Sequence, residues 1–310
     1  MLLSVIMPVY KGEATIARAI ESALSFLSEQ AELVIVFDGE QDASYHIAET
    51  YAKDHRQIRL LYPHVRMGAY YARRVGIAEA KGTYCAFLDA DDYFAPDFYS
   101  FVEGKLRNGE IDILTFSFYV DKGGKVHKNA FTKNEMTLTA VEGVSALMKD
   151  SFIRGFLPSK VLRTELLKGA YSTQGVDALF EDTLVSVIAF SQAKTILYCP
   201  KPLYYYVKGT GGANEVSRTK RTTYHLCAFA SVRLYLESLD DPRFLEAFYA
   251  QKYRSYLSIV YDLSRDRRCG LSREQARPLL KEFSDIFDPK HGLRTQGTSY
   301  QRYLPTELSR

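Results

Sequence analysis

Short apolar runs alternate with amphipathic stretches through the first hundred residues, and no other feature constrains the fold as strongly. Leu3–Met7 is short and mostly apolar, as a strand buried on both faces of a parallel sheet should be. Pro8 and Gly12 mark a loop. Thr15–Leu27 then places Ile16, Ala19, Ile20, Ala23, Leu24 and Leu27 at helical spacing, with Thr15 as a cap. A second buried strand, Leu33–Phe37, stops at Asp38-Gly39. Ala43–Lys53 reads as a helix and Ile58–Tyr62 as a third strand. Tyr70–Ala80 reads as a helix ending at Gly82, a residue suited to a helix C-terminus. Tyr84–Leu88 is a fourth strand that runs straight into Asp89-Ala90-Asp91-Asp92.

The order βαβαβαβ predicts a mostly parallel sheet with helices on both faces. Ligands in such sheets bind beyond the carboxyl ends of the strands. Three of the four strands end in polar loops, containing Pro8-Val9-Tyr10, Asp38-Gly39 and Asp89–Asp92, so one edge gathers the chemistry. Beyond Asp97 the pattern changes. Ile111–Val120 and the region near Val126–Leu138 read as strands around a Lys122-Gly123-Gly124 turn. Helices are expected at 140–150, 160–168 and Phe180–Ala193, with a strand at Thr195–Cys199. Pro200–Tyr206 and the Gly-rich loop 207–217 close this half, the loop serving as a lid or as a plain connector. From Thr222 the chain reads as largely helical and rich in Tyr, Phe and Arg.

The 46% apolar and 13% aromatic content of the 310 residues can build a sizeable core, which excludes a mostly disordered chain. Forty Lys and Arg against thirty-seven Asp and Glu leave +3, too little to point to nucleic acid. Cys85, Cys199, Cys227 and Cys269 are scattered without a CxxC, which argues against a zinc site or disulfide framework and fits a reducing compartment. The apolar start MLLSVIMPVY lacks a basic leader and contains Pro8, so it reads as a strand rather than a signal peptide.

Asp89-Ala90-Asp91-Asp92 is the strongest chemical signal. Three carboxylates in four residues repel one another, and a hard divalent cation such as Mg²⁺ or Mn²⁺ would relieve that repulsion. A solvated acidic turn is the competing explanation. Its position at the end of a buried strand, on the ligand edge, favours the metal.

Five segments, SVIMPVYKGEATIARAIESAL, VIVFDGEQD, MGAYYARRVGIAEAKGTYCAFLDADD, FEDTLVSVIAF and CPKPLYYY, together resemble the bacterial family-two glycosyltransferases. The resemblance runs over roughly residues 3–206. It implies a GT-A fold, with a mostly parallel Rossmann-like sheet flanked by helices and a C-terminal helical region. The implied division is 1–215 for the glycosyltransferase domain (1–95 nucleotide-binding, 96–215 acceptor) and 216–310 for the helical region.

By that resemblance Pro8, Val9, Tyr10 and Asp38 line the base pocket, where an aromatic ring can stack on the base and a carboxylate can accept the uracil N3–H. The usual Asp-Asp-Gly-Ser is here Phe37-Asp38-Gly39-Glu40, so contacts from the first Asp and the Ser do not transfer. Arg73 faces the diphosphate, which the guanidinium fork suits, while Arg74 replaces an Asn and Lys11 and Arg18 read as surface charges. Asp89 and Ala90 lie near the ribose, and Asp91, with Asp89, holds the metal. Asp92 begins the next turn. Glu181-Asp182 opens a helix, a position where acids favour the macrodipole. The family places its general base there, so Asp182 is assigned as base, with Glu181 beside it. The preceding Gly of the family is Phe180. Lys160, in LPSKVLRTELL, matches a family lysine and would face phosphate, acceptor or solvent.

The resemblance therefore implies an inverting, metal-dependent enzyme moving a sugar from a nucleotide diphosphate donor, UDP-linked by preference, to a bacterial glycan or lipid-linked glycan. A nucleotidyltransferase building sugar nucleotides shares the sheet and acidic site, but Pro8–Gly12 is a poor substitute for its Gly-rich phosphate loop. A non-catalytic carbohydrate-binding module would have no use for both the metal carboxylates and the Glu181-Asp182 pair. In the tail, Phe248, Tyr249, Tyr253, Tyr256, Leu257, Val260 and Tyr261 read as a core or homodimer face. Arg265, Arg267 and Arg268 suit peripheral contact with anionic lipid, at the cytoplasmic face of a membrane.

Overall fold

The computed structural model describes residues 1–39, 41–129, 132–150, 152–172, 181–209 and 231–249. The chain divides into two compact units, Met1–Asp177 with Glu181–Gly211, and Ala178–Phe180 with Gly212–Arg310. The first unit opens with β1 (Leu3–Val9), α1 (Ile16–Leu24), β2 (Ala31–Phe37), α2 (Ala43–Asp54), β3 (Ile58–Leu61), α3 (Ala69–Glu79) and β4 (Tyr84–Phe87). Strands β1 to β4 pair in the order β3-β2-β1-β4, all parallel. All seven residues of β2 are buried, as are six of the seven in β1, which explains their unbroken apolar runs. Helix α1 buries Ile16, Ala19, Ile20 and Ala23 against them, the face its spacing predicts. Each of the two isoleucines contributes about 1.5–3 kcal/mol, and each alanine methyl less than about 1 kcal/mol.

The chain continues through β5 (Tyr93–Phe94), α4 (Phe98–Leu106), β6 (Ile113–Lys122), β7 (Lys125–Asn129), β8 (Met136–Leu138), α5 (Ala140–Lys149), a 3₁₀ turn at Leu157–Ser159, β9 (Lys160–Arg163), α6 (Thr164–Ser172), α7 (Glu181–Gln192) and β10 (Ile196–Val207). The sheet path extends as β4-β9-β6-β10-β5. Here the pairings turn mixed: β9 runs antiparallel to both β4 and β6, and only β10 with β6 is parallel.

Several local expectations change. Pro8 and Val9 belong to β1 rather than to a loop. The pairing of β1 with β4 ends at Ile6, so Pro8 sits where the strand is paired on one side, a position that tolerates a missing N–H. Gly82 does not cap α3 with a left-handed turn. A Cβ there would lie 2.5 Å from the Ser4 nitrogen, so the glycine permits close approach to the start of β1. The expected helix at 160–168 begins as β9, because Lys160–Arg163 fills the slot between β4 and β6, and only then becomes α6. Pro200–Tyr206 continues β10 through register shifts after Cys199 and Pro202, which accommodate the two prolines.

In the second unit the described stretches 231–237 and 242–249 are helical, and Phe248 and Tyr249 are buried. The rest of the aromatic stripe, the Arg265–Arg268 cluster and loop residues 210–217 lie outside the described residues. No helix among the described residues is long and apolar enough to cross a membrane.

Candidate active site

The strand order reverses direction between β1 and β4, and the crevice beyond their carboxyl ends is the expected ligand position. At the β1 end Tyr10 is exposed, with the Arg66 guanidinium 4.1 Å from its ring centre, a cation–π contact. Gly39 lies against both, at a φ of 117° that a side chain would strain. Asp38, at the end of β2, is buried, and its carboxylate accepts the Met67 N–H at 2.7 Å and the Gly68 N–H at 2.9 Å. Gly68 is the N-cap of α3, so Asp38 anchors the approach to that helix. Arg66 and the two loop amides carry no sequence signal that would have placed them here.

At the end of β4, Ala90 touches the β1–α1 loop, leaving a Cβ on Gly12 only 3.4 Å from its own. The exposed Arg18 donates to the Asp91 carbonyl at 2.6 Å and covers the Tyr93 ring, so this expected surface charge steadies the acidic loop. Asp92 turns inward. Its two oxygens accept the Tyr204 hydroxyl at 2.6 Å and the Val207 N–H at 2.7 Å. Burial, with Asp89 and Asp91 adding repulsion, pushes the Asp92 carboxyl up to about 8. Tyr204 also receives the Asp89 N–H at 3.2 Å, tying β10 to the loop.

Arg73 joins the two parts of the sheet. Gly76 lets α3 settle on β1, where a Cβ would stand 2.6 Å from Ile6, and Arg73 lies one turn earlier on the same buried face. Its guanidinium donates to Asp89 Oδ1 at 2.9 Å and to Asp182 Oδ1 at 2.8 Å. Arg74, the next residue, is exposed. Asp182, in the first turn of α7, also accepts the Leu157 N–H on Oδ2 at 3.3 Å. Burial and the Asp89 charge raise its carboxyl above the ordinary range, while Arg73, the Leu157 N–H and Lys160 pull it back. The side chain of Glu181 lies outside the described residues. Lys160 does not face solvent: it is wholly buried, its ammonium donating to the Arg154 and Phe156 carbonyls at 2.6 and 2.5 Å.

Among the described residues, no group of three or more His, Cys, Asp or Glu side chains is arranged to hold a metal by itself. The donor set nevertheless suits a hard cation shared with phosphate. Asp92 is committed to Tyr204 and Val207, and Asp89 gives only one oxygen to Arg73, so Asp89 and Asp91 are the loop carboxylates that would hold such an ion; Mg²⁺-type ions commonly use one or two carboxylates plus substrate phosphates.

A parallel four-stranded half, an Asp-Ala-Asp at its switch point and an added mixed half define a GT-A fold. Residues 4–158 match the family model described as glycosyl transferase family 2, and the chain belongs to that family. It is 29% identical over 234 residues to the uncharacterized glycosyltransferase EpsJ of Bacillus subtilis (73% of this chain, 66% of that protein). It is 28% identical to the putative glycosyltransferase EpsH of the same organism over 66% of this chain and 60% of that one. The chain thus spans less than two thirds of the length of either relative. The fold is similar to that of residues 1–349 of S. aureus TarS in complex with UDP-GlcNAc, with a TM-score of 0.76 and 20% identity over 94% of this chain and 82% of that fragment.

Proposed function

We propose that the protein is an inverting glycosyltransferase that moves a sugar from a UDP-sugar to a hydroxyl of a bacterial glycan or lipid-linked glycan. One observation carries the reading: a single guanidinium, Arg73, holds Asp89 of the acidic loop and Asp182 in one hydrogen-bonded group. That brings a donor-side carboxylate and a candidate base together at the crevice. In this reading residues 1–95 bind the nucleotide, with Tyr10 beneath the base, Asp38 at its edge, Pro8 and Val9 lining the pocket, and Asp89 and Ala90 near the ribose. Residues 96–215 receive the acceptor.

Asp182 accepts the proton of the acceptor hydroxyl as that oxygen bonds to the anomeric carbon. The bond from the anomeric carbon to the β-phosphate oxygen breaks, and its electron pair leaves on the diphosphate. Attack from the opposite face inverts the centre without a covalent enzyme intermediate. The raised Asp182 carboxyl is a stronger base than an ordinary aspartate, as this step needs. Arg73 offers its fixed positive charge to the departing diphosphate. A divalent cation, Mn²⁺ or Mg²⁺, held by Asp89 and Asp91 would neutralise charge developing on that leaving group. We assign the reaction to the cytoplasm, consistent with the buried free thiols Cys85 and Cys199.

The test is UDP release from a panel of UDP-sugars with Mn²⁺ present. Release from at least one donor, accelerated by an acceptor glycan, supports the reading. No release from any UDP-sugar by protein that binds UDP contradicts it.

A further inference from the structure

Residues 154–157 form a strap in front of β9, and each of its first three carbonyls is captured by a buried side chain. Lys160 takes the carbonyls of Arg154 and Phe156, and Ser186 of α7 takes that of Gly155 at 3.2 Å. Gly155 is pressed against α7 so closely that a Cβ would lie 2.6 Å from Thr183 Oγ1. The next residue of the strap, Leu157, gives its N–H to Asp182.

A wholly buried ammonium is costly. Burial drives Lys160 down to about 7, against the pull of Asp182 and Asp150. An apolar side chain would fill the same space without that penalty. What the lysine supplies instead is a fixed strap, and the strap's output is one amide aimed at the candidate base. With Arg73 on Oδ1 and the Leu157 N–H on Oδ2, both oxygens of Asp182 are held, and each still has a lone pair for an acceptor hydroxyl.

We propose that Lys160 is a positioning residue: it pins the 154–157 strap so that Leu157 orients the Asp182 carboxylate toward the acceptor hydroxyl. The inference rests on reading Asp182 as the base. Lys160 touches neither donor nor acceptor in this account, so its removal separates turnover from donor binding.

The test measures kcat and donor KM for UDP release from the UDP-sugar chosen by the donor screen, with water as acceptor, alongside UDP affinity and melting temperature. Lys160→Met should lose about 10–100-fold in kcat, the range for a residue supporting another, with donor KM and UDP affinity unchanged. A folded Lys160→Met within about threefold of wild-type kcat, short of the general-base range, would overturn the proposal. So would a parallel loss of UDP affinity. A second set of variants keeps the test open if Lys160→Met does not fold. Gly155→Ala should displace the strap and lower kcat by about 10-fold or more. Thr183→Ala removes the clashing hydroxyl, leaving the nearest Thr183 atom, Cβ, at 3.6 Å, and so should restore the rate in the double variant. An unimpaired Gly155→Ala, or a double variant that stays slow, contradicts the proposal. Asp182→Asn in the same assay distinguishes the two failures. If it is slow while the strap variants are fast, only the positioning role falls; if it is fast, the reading of Asp182 falls first.

Discussion

The parallel half from β1 to β4 and the mixed half from β5 to β10 hold their polar groups by different means. In the parallel half Asp38 is fixed by backbone amides, and Gly12 leaves room for the Ala90 methyl group, so strand ends and short loops suffice. In the mixed half and where it meets β4, each carboxylate is fixed by one backbone amide together with one side chain from a distant element: Asp92 by the Val207 N–H and Tyr204, and Asp182 by the Leu157 N–H and Arg73. A parallel scaffold thus presents binding groups by topology alone. The group that must titrate is set by a network drawn from both halves. The first arrangement tolerates local change, whereas the second depends on each of its partners.

The largest expected effect tests the parallel half. Chelation by excess EDTA, or Asp91→Asn, should abolish transfer and weaken UDP binding in protein that remains folded. Full turnover in EDTA would remove the metal from this account. Arg73→Met attacks the junction. It should lower kcat about 100-fold by releasing Asp182 and reduce stability by up to about 3 kcal/mol, because two carboxylates lose one buried cation. A stable and active Arg73→Met would mean that the halves work independently.

The parallel half was legible because its strands are buried on both faces and its helices carry one apolar stripe, so the periodicity of the sequence is the fold. The acidic loop was legible for the same reason, as the sequel to a buried strand. β9 was not: Lys160–Arg163 is four residues with charges at both ends, and its strand state comes from the neighbours β4 and β6 rather than from any pattern of its own. The same holds for Lys160. A lysine in a sequence reads as solvated, and only two converging carbonyls make its burial tolerable. The Arg73–Asp182 pair spans 109 positions of chain and leaves no local signature.

A smaller effect concerns Asp92. Its carboxyl rises from 3.8 to about 8 on folding, so the native state binds more protons between those values. The stability this group contributes is fully present below about pH 4 and is lost as pH rises toward 8. The melting temperature of metal-free protein should fall across that window, and Asp92→Asn should flatten the decline. An unchanged slope would show that the Tyr204–Asp92 link does not carry it. Smallest of all is the choice of base. With Mn²⁺ present, UDP should raise the melting temperature more than ADP does, and Asp38→Ala should shrink the difference. Equal shifts in the wild type would sink the assignment of Asp38 to a uracil edge.

Asp182 bears the central claim, that a carboxylate held between both halves removes the acceptor proton. Asp182→Asn keeps the size and one acceptor oxygen, which can serve Arg73 or the Leu157 N–H but not both, and removes basicity. Measured on one preparation, it should lower kcat by about 10²–10⁴-fold while UDP affinity stays at the wild-type value. A kcat within about threefold of wild type in a folded, UDP-binding variant, well below the contribution of a general base, would contradict the claim and move the search to Glu181.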